Sequence, residues 1–344
     1  MTRTAVIVCP GRGTYNRPEL GYLKRHHADK TGLIAMLDRY RGARGQPLIS
    51  DLDGAERHTV GTYSRGDNAS PLIYGCAYAD FLAIDRGKID VVAVTGNSMG
   101  WYIALACAGA LSAEGGMDVV NTMGTLMHEH LTGGQVVYPL VDEAWREIAG
   151  RRAELMGLLA ELNGRSDCSL HVSIELGGML VLAGNDAGLD ALEERLPRLD
   201  ARFPMRLANH GAFHTPLLAP IARMGQEALP QALFAQPAIP LVDGQGSTWF
   251  PGATDLGGLR DYTLGHQVTR TYDFTRAIQA SVKEFAPDCL VVLGPGNLLG
   301  GAVAQSLVAI DWQGLGSKAD FAARQAADPV LLSMGMEEQR ARVL

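Results

Sequence analysis

The stretch Gly96-Asn97-Ser98-Met99-Gly100 holds a serine with a glycine two residues away on either side. A serine hydroxyl attacks a carbonyl carbon well once a base takes its proton. Flanking glycines permit a sharp turn that lifts the serine oxygen clear of the backbone. The backbone N–H of the following residue, Met99, stands at a helix start and can face a developing oxyanion. β-Formers (VVAVT) precede the motif and an Ala-rich helical pattern (IALACAGAL) follows it, so the order strand, turn, helix predicts a nucleophile elbow.

The base has to come from nine histidines. His26, His27, His58, His128, His130, His171 and His266 lie in polar helical patches or surface-like runs. His210 and His214 lie in the loop NHGAFHTPLL, where Thr-Pro and a helix follow His214 and fix it locally. No aspartate stands out as the third member of a triad; a backbone carbonyl can orient an imidazole instead.

Composition excludes other classes. The chain has 344 residues, 30 Lys and Arg against 37 Asp and Glu, and a net charge of −7, which argues against general nucleic-acid binding. Cys9, Cys76, Cys107, Cys168 and Cys289 show neither metal-ligand spacing nor a disulfide framework, so buried thiols in a reducing compartment are expected and no metal. The first apolar run is too short for a signal peptide, and none approaches the roughly 20 residues of a membrane span. A cytoplasmic protein is the expectation.

Positioning such groups needs a rigid frame. Strands alternate with helices, and the turns PGRG, GNSMG and GPGN each end a strand. That order predicts a mainly parallel sheet covered on both faces, with reactive groups at the carboxyl ends of its strands. From Gly133 to about Met205 the pattern changes to strand (QVVYPLV), helix (DEAWREIAGRRAELMGLLAEL), two strands (LHVSIEL, MLVLAG), helix (DALEERL) and strand (ARFPMRL), a ferredoxin-like order. The expected fold is α/β: a large α/β-hydrolase-like catalytic domain over 1–132 and 206–310, a ferredoxin-like subdomain inserted at 133–205, and a C-terminal extension over 311–344. The polar stretch 17–65, rich in Arg, Lys and His, reads as a solvated face.

GNSMG, GAFHTPLL and GPGNLLGG, in this order and spacing, resemble the acyl carrier protein S-malonyltransferase family. That family takes in malonyl-CoA:ACP transacylases and the acyltransferase domains of polyketide synthases. The resemblance covers nearly all of residues 4–308. It implies an enzyme of fatty acid or polyketide biosynthesis that works by ping-pong transfer. An acyl group leaves a thioester, of CoA or of a carrier protein, for a serine, and passes to the phosphopantetheine thiol of an acyl carrier protein. No bound cofactor is implied. On this sequence the resemblance makes Ser98 the nucleophile and His214 the base. It gives the oxyanion the N–H groups of Met99 and Arg12, and orients His214 by the carbonyl of Gln267, in HQVTRTYDFT. Carriers of this kind are acidic, so Arg17, Lys24, Arg25, Lys30, Arg151 and Arg152 are candidates to steer one.

The departures from the family pattern fall near the expected substrate pocket. Arg12 replaces a glutamine in the first glycine loop, Ser70 a glutamine in NASP, and Asn97 the elbow histidine. In NTMGTLMHEH, Met123 stands where the family has the arginine that forks onto the malonyl carboxylate. A bidentate Arg–carboxylate pair is strong and selective, whereas methionine offers only a soft apolar surface. The expected acyl unit therefore lacks a free carboxylate. Two alternatives stand beside it: malonyl transfer with Arg12 holding the carboxylate, and hydrolysis of an acyl thioester as editing.

Overall fold

The computed structural model describes residues 2–344. Strand β1 (Arg3–Cys9) is buried over its last five residues and runs into the loop Pro10–Gly13. Helix α1 (Gly66–Ala83) leads to β2 (Ile89–Gly96), the elbow, and helices α2 (Gly100–Cys107) and α3 (Ala113–Glu129). Next come β3 (Gly134–Pro139), α4 (Arg151–Leu162), β4 (Leu170–Leu176), β5 (Met179–Gly184), α5 (Asp186–Arg195) and β6 (Met205–Arg206). The chain continues through α6 (Ala219–Ala228), β7 (Leu241–Val242), β8 (Thr248–Trp249) and β9 (Tyr272–Asp273). It closes with α7 (Phe274–Phe285), β10 (Cys289–Val292), α8 (Gly300–Val308), β11 (Leu331–Ser333) and α9 (Glu337–Arg340).

The strands form two sheets. The first has the order β11-β10-β1-β2-β7-β8 and is parallel except for β8. Helices pack on it from both sides, so its central strands are apolar runs without alternation. The second has the order β6-β3-β5-β4-β9; its first four strands are antiparallel and follow the ferredoxin-like order. A separate apolar cluster under it includes Val136, Leu155, Leu182 and Leu192.

Several expectations change in the folded chain. Strand β9, far from 133–205 in sequence, joins the second sheet parallel to β4. The helix expected from Asp142 onward begins only at Arg151. The Asp142 carboxylate accepts the N–H groups of Ala144 (2.8 Å) and Arg146 (2.9 Å), so this aspartate closes a turn instead of starting a helix. Residues 311–344, read as an extension, supply the edge strand β11 and helix α9. Arg340 of α9 reaches the buried carboxylate of Asp80 at 2.6 Å. That carboxylate also meets His27 at 2.7 Å and the Tyr22 hydroxyl at 2.8 Å.

His27 and Arg41, assigned above to a solvated face, are both fully buried. Arg41 donates to the Pro47 and Asp67 carbonyls and to the side chains of Asn68 and Asn121. Charge density along the chain misleads here, because buried carboxylates, carbonyls and amides hydrogen-bond these side chains. Among the described residues no helix is long and apolar enough to cross a membrane.

Candidate active site

Strand β2 delivers the chain to Ser98 at the carboxyl edge of the first sheet. Ser98 has φ +55°, a conformation that costs a side-chain-bearing residue about 1–2 kcal/mol. The turn is possible only between glycines. A Cβ on Gly96 would lie 2.3 Å from the Gly100 carbonyl oxygen, and one on Gly100 would lie 2.3 Å from the Cys9 carbonyl oxygen. The Asn97 N–H donates to the Cys9 carbonyl at 3.0 Å, which binds the elbow to the end of β1.

The loop between β6 and α6 brings His214 over the elbow, also at positive φ (+58°). Its Nε2 lies 2.7 Å from Ser98 Oγ, and its Nδ1 lies 2.6 Å from the Gln267 carbonyl oxygen. A carbonyl only accepts, so Nδ1 carries the proton and Nε2 presents its lone pair to the serine hydroxyl. The carbonyl is free for this task because the helical turn Gln267–Thr269 ends before any N–H one turn on can take it. The Gln267 side chain braces the other end: its amide donates to the Ser98 carbonyl at 3.0 Å, and the Tyr102 hydroxyl donates to its oxygen at 3.0 Å. Burial pulls the His214 pKa down to about 4, with the Gln267 carbonyl opposing in part. The ring is therefore neutral at neutral pH.

The pocket in front of Ser98 is apolar on most sides. Val120, Met123 and Met127, spaced three and four apart on α3, share one face and line it together with Tyr102, Phe213 and Val268. The cavity amounts to about 20 Å³, space for one or two water-sized groups. Met123 and Ser70 are buried in its wall. Asn97, expected there too, is not among the lining residues: the turn presents Ser98 and Met99 to the pocket, and the Asn97 side chain lies against Gly11 of the first glycine loop.

Arg12 also lines the pocket. Its Nη2 donates to the carbonyls of Ser64 (2.5 Å) and Asn209 (3.0 Å), and the guanidinium stacks over Phe213 at 5.3 Å. No carboxylate among the described residues reaches it within ion-pair distance, and its Nε is buried without an acceptor. Burial lowers its pKa to about 10, against the pull of Asp67, so it stays charged at neutral pH. The N–H groups of Arg12 and Met99 donate to no acceptor among the described residues.

The remaining candidates fall elsewhere. His210 is bound through Nδ1 to Gln135 Oε1 at 2.8 Å, and burial holds it well below the usual imidazole range. Arg152 forms a two-pronged pair with Glu175 (2.8 and 2.7 Å), and Arg25 donates to the Leu20 and Pro18 carbonyls. Among the described residues no group of three or more His, Cys, Asp or Glu could hold a metal ion. The spacing of Val120, Met123 and Met127 was a legible signal for one wall. Tyr102, Phe213 and Val268 join it only because they neighbour residues already placed.

No family model matches the chain. The malonyl CoA-acyl carrier protein transacylase of Bacillus subtilis is 23% identical over 240 residues, 69% of this chain and 71% of that protein. In structure, malonyl-CoA:acyl carrier protein transacylase (FabD) of Xanthomonas oryzae superposes with a TM-score of 0.75 at 19% identity, covering 99% of this chain and 98% of the other. The acyltransferase domain from the second module of the salinomycin polyketide synthase gives 0.70 at 21% identity, covering 100% of this chain and 72% of that one. By sequence and by fold, the relatives of this chain are malonyl-CoA:ACP transacylases and polyketide synthase acyltransferases.

Proposed function

We propose that this protein is an acyl carrier protein acyltransferase that carries its acyl group as an ester on Ser98. The observation behind this reading is the relay from Ser98 Oγ to His214 Nε2 (2.7 Å) and from Nδ1 to the Gln267 carbonyl (2.6 Å). In the first half-reaction Ser98 Oγ attacks the thioester carbonyl carbon and its proton passes to His214 Nε2. The Gln267 carbonyl stabilises the imidazolium. The oxyanion lies between the N–H groups of Met99 and Arg12, each worth on the order of 3 kcal/mol in the transition state. As the intermediate collapses, the C–S bond breaks and the departing thiolate takes the proton from His214. In the second half a phosphopantetheine thiol of the carrier gives its proton to the same nitrogen and attacks the ester carbonyl; the C–O bond to Ser98 breaks, and Ser98 Oγ takes the proton back from His214 as it leaves.

The acyl group on this reading carries no free carboxylate. Met123 offers no donor, and a carboxylate left unpaired in a dry apolar pocket is penalised by several kcal/mol. One observation favours a second reading, malonyl transfer: Arg12 lines the same pocket without a carboxylate partner.

Intact-protein mass spectrometry tests the assignment. Incubation with CoA and carrier thioesters, uncharged and carboxylated, should yield an adduct of acyl mass on the wild type and none on Ser98→Ala. The adduct should persist until a carrier thiol removes it. An adduct on Ser98→Ala would refute the mechanism; rapid loss to water without carrier would make the protein a hydrolase.

A further inference from the structure

Across the pocket wall from Ser98, α3 meets α6. Met123 of α3 is fully buried, and the residue facing it on α6 is Gly225. A Cβ built at position 225 would lie 2.5 Å from Met123 Sδ and 3.3 Å from its Cε, inside contact distance for both. The thioether thus fills the notch left by the missing side chain. Methionine is unbranched and turns easily, so a methionine refused that notch would swing towards the nearest open space. That space is the small cavity in front of Ser98, which Met123 also lines.

We infer that Gly225 and Met123 together form a gauge for acyl length, set for a short, uncharged acyl chain. Room for one or two water-sized groups accommodates a methyl or ethyl on the acyl carbonyl, an acyl chain of about two or three carbons. Met123 is the stop and Gly225 holds the stop back. Neither residue touches the reacting atoms; they determine specificity. The inference rests on the acyl-Ser98 reading, and the test separates the two.

The experiment follows Ser98 adduct formation on the full-length protein by intact mass, with saturated CoA thioesters of two to eight carbons. A methylene in an apolar pocket is worth about tenfold or more in rate, which sets the expected scale. The wild type should load two- and three-carbon chains at least about tenfold faster than six- and eight-carbon chains. Met123→Ala should gain about tenfold or more on the long chains. Gly225→Ala should lose three-carbon loading more than two-carbon loading. Gly225→Ala with Met123→Ala should recover three-carbon loading, because the residue driven into the cavity is gone. That recovery distinguishes a gauge from simple damage, and the double variant keeps the test decisive where Gly225→Ala alone misfolds. Equal loading of all lengths by the wild type, or no gain of long chains in Met123→Ala, overturns the gauge and leaves the acyl-serine mechanism standing. No adduct with any thioester overturns both.

Discussion

Ser98 and His214 occupy the same sparsely populated backbone region, at φ +55° and +58°, and their side chains meet at 2.7 Å. Two strained residues in direct contact are held there by elements that bring no strain of their own: β2 and α2 on one side, the braced Gln267 on the other. Strain of this kind persists only where the surroundings over-determine it.

Relief of that strain should be measurable. Ser98→Gly is expected to abolish adduct formation yet raise unfolding free energy in urea by about 1 kcal/mol, since glycine adopts the turn freely. Ser98→Ala should abolish the adduct without that gain. His214→Ala should retain slow transfer, because the N–H groups proposed for the oxyanion and substrate binding remain. Equal stabilities for the glycine and alanine variants would argue against backbone strain at the elbow.

The pH dependence follows from burial. The His214 pKa lies at about 4, below the ordinary imidazole value of about 6.5. A protonated ring cannot accept the Ser98 proton, so loading should fall as pH drops through about 4 and stay level from there to neutrality. Stopped-flow loading rates across pH 4 to 8 check this, and an acid limb at the ordinary imidazole value would contradict it. The stability sign runs the same way. Between the two values the unfolded chain binds the proton that the folded one refuses, so stability declines as pH falls from about 6.5 to about 4, by about 3 kcal/mol at most.

Arg12 ties the first glycine loop to Ser64 and to Asn209, whose amide in turn donates to Ser64 Oγ at 2.6 Å. Asn209 lies on the loop that carries His214. Arg12→Ala should therefore slow loading of every acyl group, by loosening the loop whose N–H is proposed to face the oxyanion, while the malonyl-to-acetyl ratio stays nearly constant. A selective loss of malonyl loading would instead make Arg12 the carboxylate's partner.

Met123→Arg places a fork on the pocket wall. The expected outcome is a shift of the adduct ratio towards malonyl, read in competition between malonyl-CoA and acetyl-CoA. The shift should be partial, since Ser70 beside it offers a short hydroxyl to hold the guanidinium. An unchanged ratio, in a variant that still loads acetyl, would show that position 123 does not select for charge.

Much of this site was legible in the chain, for a local reason. Gly96 and Gly100 mark the elbow because the turn leaves no room for a Cβ at either place, and such sterics are written in neighbouring residues. The alternation of strands and helices likewise states the parallel sheet and the end of it where chemistry collects. The resemblance of GNSMG and GAFHTPLL to a known family selected His214 over His210, which position alone left open.

What no local pattern contains was decided by packing. Ser98 and His214 are 116 residues apart, and His214 and Gln267 are 53 apart; no periodicity relates them, and the pairing exists only once the loops converge over the sheet edge. The burial of His27 beside Asp80 and Arg340, the entry of β9 into the second sheet, and the turn at Asp142 that delays the expected helix to Arg151 are decisions of the same kind. So is the meeting of Gly225 with Met123, where a missing side chain on one helix sets the place of a sulfur on another. Short-range sterics and periodic burial act between neighbours and are readable along the chain. Long-range contacts depend on which surfaces close on one another, and only the folded molecule settles that.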